Sequence, residues 1–191
     1  YPSKPIRIIV PFPPGGANDF MARIIGQKLN DNWGQSVVIE NKGGAGGIVG
    51  SELAAKASPD GYTLLYTSSG AHVINPLLFT KLSYNPVKDF IPVSVTIKQP
   101  LLLVAHPAVP ANSVKELIDL IKSKPAGLNY ASVGNGSPSH IAMEILKKIT
   151  GVTLVHIPYK GSGPALIDVM GGHMPIMFDT ILSSSPHVKS G

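Results

Sequence analysis

Ile6-Arg7-Ile8-Ile9-Val10-Pro11-Phe12-Pro13-Pro14-Gly15-Gly16-Ala17-Asn18-Asp19 is the stretch that decides the fold. Its first five residues form a β-branched run that reads as a buried strand, and the proline-glycine segment ends it. A helix is expected from about Asp19 to Asn32, with Phe20, Ile24, Ile25 and Lys28-Leu29 near one stripe. Working outward, the same grammar returns. Val37-Val38-Ile39-Glu40 is a second strand, and the loop Asn41 to Gly47 leads into a helix around Val49 to Ala57. Ser58-Pro59-Asp60-Gly61 closes that helix, and Tyr62 to Thr67 is a third strand. Strand, helix, strand, helix, strand with short links implies a parallel α/β sheet with right-handed crossovers.

A looser stretch follows from Gly70 to Asp89, where Asn75-Pro76 and Asn85-Pro86 break any long element. Phe90 to Ile97 and Leu101 to Ala105 are apolar runs read as strands that finish a first lobe and carry the chain into a second. There Ser113-Val114-Lys115-Glu116 fits a capping box opening a helix to about Lys122. Leu128 to Ser132 is a strand, Gly134 to Ser139 a loop, and Pro138 to Lys148 a helix with Ile141, Ile145, Leu146 and Ile149 on its apolar face. Val152 to Ile157 is a strand, Pro158 to Gly163 a loop, Pro164 to Met170 a helix, and Ile176 to Asp179 a final strand. Residues 1–100 are therefore expected to form one α/β lobe and residues 101–191 a second.

Composition limits what such a chain can do. The 191 residues are 43% hydrophobic and 14% charged, which excludes a disordered or highly charged tail. Twenty glycines and eighteen prolines recur between apolar runs, as expected for many punctuated turns. The net charge of +5 comes from basic residues scattered singly, not clustered as nucleic-acid binding requires. With no cysteine there is neither a disulfide nor a thiolate metal site. No apolar run approaches the length of a membrane span.

Four loops follow strands at the expected carboxyl edge of parallel sheets, where open α/β folds bind ligands: Pro14 to Asp19, Thr67 to His72, Gly134 to His140 and Tyr159 to Gly163. The first, third and fourth run directly into helices, whose leading N–H groups lack intrahelical partners and favour negative charge. The candidate ligand-binding residues are Pro14, Gly15, Gly16, Asp19, Ser68, Ser69, Gly134, Gly136, Ser137, His140, Tyr159, Gly161 and Asp179. Ser137 either caps its helix or donates to a ligand. His140 either anchors its loop or touches the ligand. Asp19 caps the first helix or accepts from a ligand donor, and Asp179 faces the cleft as an acceptor or fixes a neighbouring loop. The only formal cation in the helix-start loops is Lys160.

Signatures of catalysis are weak. There is no nucleophile elbow, no zinc helix and no phosphate loop, and Gly43-Gly44-Ala45-Gly46-Gly47 misses the dinucleotide register at Val49. Ser137 and His140 are the only beginnings of a nucleophilic site, with no orienting acid in sight. An enzyme acting on a small organic acid and a ligand-free interaction module are the competing readings. No catalytic residue, metal site or cofactor is expected.

Across nearly the whole chain, the residues resemble the substrate-binding proteins of the tripartite tricarboxylate transporter family, the Bug family. The resemblance is carried by Val10-Pro11-Phe12-Pro13-Pro14-Gly15-Gly16 with Asp19, Glu40-Asn41, Gly44-Ala45-Gly46-Gly47, and Pro59-Asp60-Gly61-Tyr62-Thr63-Leu64-Leu65. In the second half it continues with Leu128-Asn129-Tyr130-Ala131-Ser132, Gly136-Ser137, His140, Pro158-Tyr159-Lys160-Gly161 and Met177-Phe178-Asp179. It implies a two-lobed, type II-like "Venus flytrap" in the periplasm, each lobe a mainly parallel sheet flanked by helices, closing on a small carboxylate. It also implies a removed secretion signal, a monomer, and a two-subunit membrane permease or a sensor protein as the next partner. Family members run on for roughly a hundred residues past the position of Gly191, so the C-terminal portion of the first lobe is expected to be missing here.

Overall fold

The computed structural model describes residues 1–124 and 127–190. The chain divides into two compact units, Tyr1–Lys98 and Gln99–Gly191. In the first, β1 (Ile6–Val10), β2 (Val37–Asn41) and β3 (Thr63–Leu65) make a parallel sheet in the order β2-β1-β3. The central strand shows why the opening stretch is decisive. Ile6, Ile8, Ile9 and Val10 are all buried, and only Arg7 reaches solvent, where it pairs with Glu40 across the strand register. A strand covered on both faces needs an apolar run and not an alternation.

Helix α1 (Ala17–Trp33) starts two residues before the expected Asp19 and ends at Gly34, which takes the left-handed C-cap conformation. Its buried residues are Ala17, Asp19, Ala22 and Gly26, not the expected stripe, and Phe20 and Ile24 are exposed. Small residues win because the helix lies close on the sheet: a Cβ at Gly26 would stand 3.1 Å from the Ile39 side chain. A 3₁₀ turn at Ala45–Gly47 precedes α2 (Ile48–Ala55). Gly50 of α2 lies against Pro11, where a Cβ would meet backbone at 2.6 Å. In the glycine cluster that invites a nucleotide reading, a Cβ at Gly43 would likewise stand 2.8 Å from the Pro13 ring, so close packing accounts for that glycine. The expected strand Phe90 to Ile97 is not formed. That run is irregular, with Ile91 90% and Val95 77% exposed; its alternation has no pairing strand among the described residues. The stretch expected to be loose instead carries a wide helical turn, Gly70–Ile74, and the short α3 (Asn75–Leu78).

The second unit contains β4 (Leu101–Ala105), α4 (Val114–Lys122), β5 (Leu128–Ser132), α5 (Pro138–Thr150), β6 (Leu154–Pro158), α6 (Ser162–Met170), β7 (Ile176–Thr180) and α7 (Ile181–Ser190). Its strand order is β4-β7-β5-β6, with β5 parallel to both neighbours and β4 antiparallel to β7. Strand alternation sends Tyr130, Leu154 and Ile176 to one face against Leu117, Ile121 and Met143. Ala131 and Met177 go to the other face, against Ala165, Leu166 and Val169. On α5 the core residue is Met143, while Ile145 and Ile149 are exposed, contrary to the expected face. The capping box at Ser113 forms, with Ser113 accepting from the Glu116 N–H and Glu116 accepting from the Asn112 N–H.

Candidate functional site

Each unit brings its strand ends and helix starts to the carboxyl edge of its sheet. In the first unit, the chain leaves β1 through Pro11–Gly16 and turns into α1, with exposed Pro14 and Gly15 leading to buried Gly16 as N-cap residue. Gly15 has φ +87, a conformation that L side chains adopt at a cost, and open space where a Cβ would sit. Gly16 offers no side-chain cap, so the leading N–H groups of α1 are not bonded to a capping side chain. Asp19 does not point outward to a ligand. It is buried and accepts from the Gly15 N–H at 3.1 Å, from Arg23 Nε at 3.0 Å and from Asn41 Nδ2 at 3.0 Å. Burial alone would raise its pKa, but the bonds from Arg23, Gly15 and Asn41 and the charge of Arg23 outweigh this and hold it lowered. Asn41 also donates to the Phe12 carbonyl, so one amide ties the ends of β1 and β2 together.

Past β3, the hydroxyl oxygens of Thr67 and Ser68 and Nδ1 of His72 are buried without a hydrogen-bond partner among the described residues. Ser69 is exposed at the start of the wide turn. Burial holds the His72 imidazole below its ordinary pKa.

In the second unit, the loop Val133–Ser137 is held from below. Ser132 Oγ accepts the Gly134 N–H at 3.1 Å, and His140 Nδ1 accepts the Gly136 N–H at 3.2 Å. Gly136 has φ +72 and is buried. Ser137 is the N-cap of α5, accepting the His140 N–H at 3.2 Å, with Pro138 at the first helical position. The ring of His140 is therefore not paired with the Ser137 hydroxyl, and the two residues do not form a nucleophile and base. A serine–histidine contact does exist elsewhere, Ser132 Oγ to His156 Nε2 at 2.6 Å, but Ser132 is wholly buried.

Asp179 is the next-to-last residue of β7 and is buried, accepting from Ser162 Oγ at 2.7 Å and Ser184 Oγ at 2.8 Å. It ties the first residue of α6 to α7. Gly161 is the N-cap residue of α6. Tyr159 donates to Asp168 of α6, and burial together with that bond pushes its phenol up to about 12. Lys160 is exposed. Sequence reasoning missed Arg23, Asn41, Ser132, His156, Ser162 and Ser184. Only Arg23 left a sequence signal, four residues after Asp19 on one helical face. The others depend on strand register and on contacts between distant elements.

Among the described residues, no group of three His, Asp or Glu side chains could hold a metal ion, and no helix is long and apolar enough to cross a membrane. Residues 21–191 match the family model of the tripartite tricarboxylate transporter family receptor. BugT of Bordetella pertussis is 41% identical over an alignment that takes in 100% of this chain and 59% of that protein. An R. palustris protein solved with adipate superposes with a TM-score of 0.97 at 36% identity, covering 100% of this chain and 64% of the other. MatC from Rhodopseudomonas palustris, solved with bound malate, superposes with a TM-score of 0.93 at 35% identity, covering 100% and 65%. The chain spans less than two thirds of the length of each of these relatives.

Proposed function

Because the chain belongs to the tripartite tricarboxylate transporter receptor family, we propose that it acts in the periplasm as a solute-binding protein that captures a small carboxylate, a dicarboxylate by preference, without transforming it. One observation carries this reading. Both carboxyl edges present helix starts and glycine loops, while the carboxylates beside them, Asp19 and Asp179, are buried and bonded to internal donors. The internal bonds of both acids leave neither waiting for an ammonium group, and Arg23 offsets the charge of Asp19. In this reading the ligand-facing groups of the first unit are Gly15 and Gly16, with Thr67 and Ser68 as further donors, and those of the second unit are Gly136 and Ser137. Aligned N–H groups and hydroxyls hold the carboxylate, with no bidentate arginine. The malate and adipate of the two solved relatives fit this chemistry. A two-subunit permease or a sensor protein then receives the loaded form.

Calorimetric titration of the full-length protein against malate, adipate, monoacids of matched size and the neutral diamides tests it. Diacids are expected to bind at least about tenfold tighter than the monoacids, a difference near 1.4 kcal/mol, and to be recovered chemically unchanged. Equal affinity for the diamides would overturn the anion-binding reading.

A further inference from the structure

Beneath the Gly134–Ser137 loop lies a stack of three rings that the ligand reading does not use. The imidazoles of His140 and His156 lie face to face, with centroids 4.0 Å apart and planes 6° from parallel. His156 in turn stacks on its register partner Tyr130, at 4.9 Å and 18°. The outer ring is bonded to the loop, His140 Nδ1 accepting the Gly136 N–H. The inner ring is bonded to Ser132, whose hydroxyl oxygen also accepts the Gly134 N–H. Two amides of the loop are therefore oriented by acceptors that belong to, or lean on, a pair of stacked imidazoles.

We infer that His140 and His156 are positioning residues that hold the Gly136 amide in its ligand-binding orientation while both imidazoles are neutral, so that acidification loosens the grip on the carboxylate. The inference rests on the carboxylate reading of that loop. A protonated His140 carries a hydrogen on Nδ1, which then faces the Gly136 N–H donor to donor. A proton on either ring also sets a positive charge 4.0 Å from a second basic ring. The charged and titratable groups around the pair are Glu144 and Lys147 of α5 and Tyr130 of β5. Glu144 Oε1 lies 4.0 Å from His140 Nε2, but it is already engaged by Lys147 at 2.8 Å and by the Tyr130 hydroxyl at 2.7 Å. Burial depresses both imidazoles, His156 to about 4, with Glu144 opposing and Lys147 assisting. A new positive charge could also attract the ligand directly. The lost acceptor outweighs that attraction, because His140 acts on the amide itself at hydrogen-bond distance, whereas its charge is shared with Glu144.

The test uses the isotope-labelled full-length protein and its His140→Asn, His156→Gln and His140→Leu variants. Asparagine can offer an acceptor near the position of Nδ1 but cannot titrate. Without ligand, the Gly136 amide resonance is expected to move together with the two imidazoles as pH falls from 7.5 to 3.5. It should cease to do so in His140→Asn. With malate as probe, wild-type affinity is expected to fall by up to about tenfold per pH unit below the pair's midpoint, the limit for one linked proton. His140→Asn shows only the ligand's own titration, His156→Gln a shallower slope than wild type, and His140→Leu weak binding at every pH. A Gly136 amide indifferent to pH, or a malate slope equal in wild type and His140→Asn, overturns the inference. Failure of malate and adipate to bind at pH 7.5 would sink the carboxylate reading alone, since the amide titration still decides whether the pair positions the loop.

Discussion

The two units reach the same kind of edge by different chemistry. In the first, Asp19 is fixed by a charged partner one helical turn away, by an amide from the neighbouring strand end and by the glycine N–H it holds. In the second, Asp179 is fixed by two serine hydroxyls and has no cation among its bonded partners. The first unit also leaves Thr67 and Ser68 unpartnered, while the loop amides of the second rest on Ser132 and His140. A charge-held loop with free donors and a hydroxyl-held loop on a titratable stack should respond differently to the same perturbations.

The largest expected effect is that of Asp179→Ala. It strands two buried hydroxyls together, and each orphaned group costs about 1–3 kcal/mol, so a loss of about 3 kcal/mol is expected. Asp19→Ala should cost less, about 2 kcal/mol, because Arg23 is half exposed and can turn to water. Urea denaturation followed by far-UV circular dichroism and by Trp33, the sole tryptophan, separates the units. Asp19→Ala is expected to move the Trp33 transition and Asp179→Ala only the transition without a fluorescence change. Identical shifts in both signals for both variants would break the comparison.

Acid sharpens it next. Two histidines of the second unit, His140 and His156, have depressed pKa values, so between about pH 6.5 and 4 the unfolded chain binds protons that the folded unit refuses. Stability there is complete above pH 6.5 and is lost as pH falls toward 4. In the first unit His72 is the histidine that shares that window, while Asp19, its pKa lowered, gives up its contribution as pH falls through its folded value. Denaturation midpoints measured every half pH unit should therefore show the second unit weakening first. His156→Gln should flatten its curve, and an unaltered curve in that variant would remove the histidine account.

A smaller effect is expected from two of the positive-φ glycines, Gly15 and Gly136. Gly15→Ala places a side chain in a left-handed conformation at a cost of about 1 kcal/mol, with no steric addition since the space beside it is open. Gly136→Ala puts the same strain in a buried position and should cost more. Gly15→Asn should recover part of the loss, because asparagine tolerates that region better. Thermal melts of the three variants check the order.

Much of this fold was legible because β1, β2 and the helix-start loops obey local rules: an apolar run, a proline-glycine break, a cap. Phe90 to Ile97 obeys the same rule and is not a strand, since alternation shows which residues could pair and not whether a partner is present. The buried face of α1 departs from its apolar stripe for a related reason. Apolar size predicted Phe20 and Ile24 inward, whereas the close approach to the sheet selects Ala22 and Gly26. Within the site, the helix starts were visible in the sequence, but the partners of the acids were not. Asn41, Ser162 and Ser184 meet Asp19 and Asp179 only through the order of strands. The stack of Tyr130, His156 and His140 likewise exists only because β5 and β6 pair in one register beneath α5.

The smallest effect on stability is expected at Thr67 and Ser68, and there it is most informative. A buried hydroxyl without a partner lowers stability in the ligand-free protein, so its removal forfeits no bond. Ser68→Ala and Thr67→Val should leave the Trp33 transition within about 0.5 kcal/mol of wild type, or raise it slightly. If these oxygens serve the ligand, malate affinity should nevertheless fall, by about tenfold or more for each hydroxyl that donates a bond to the charged carboxylate. The second unit allows no such separation, because Ser132 and Ser137 are bonded within the fold and their loss damages stability and binding together. Denaturation and calorimetry on the same samples decide the matter. Unchanged affinity with unchanged stability would remove Thr67 and Ser68 from the site, and a clear loss of stability would show that a partner holds them in solution.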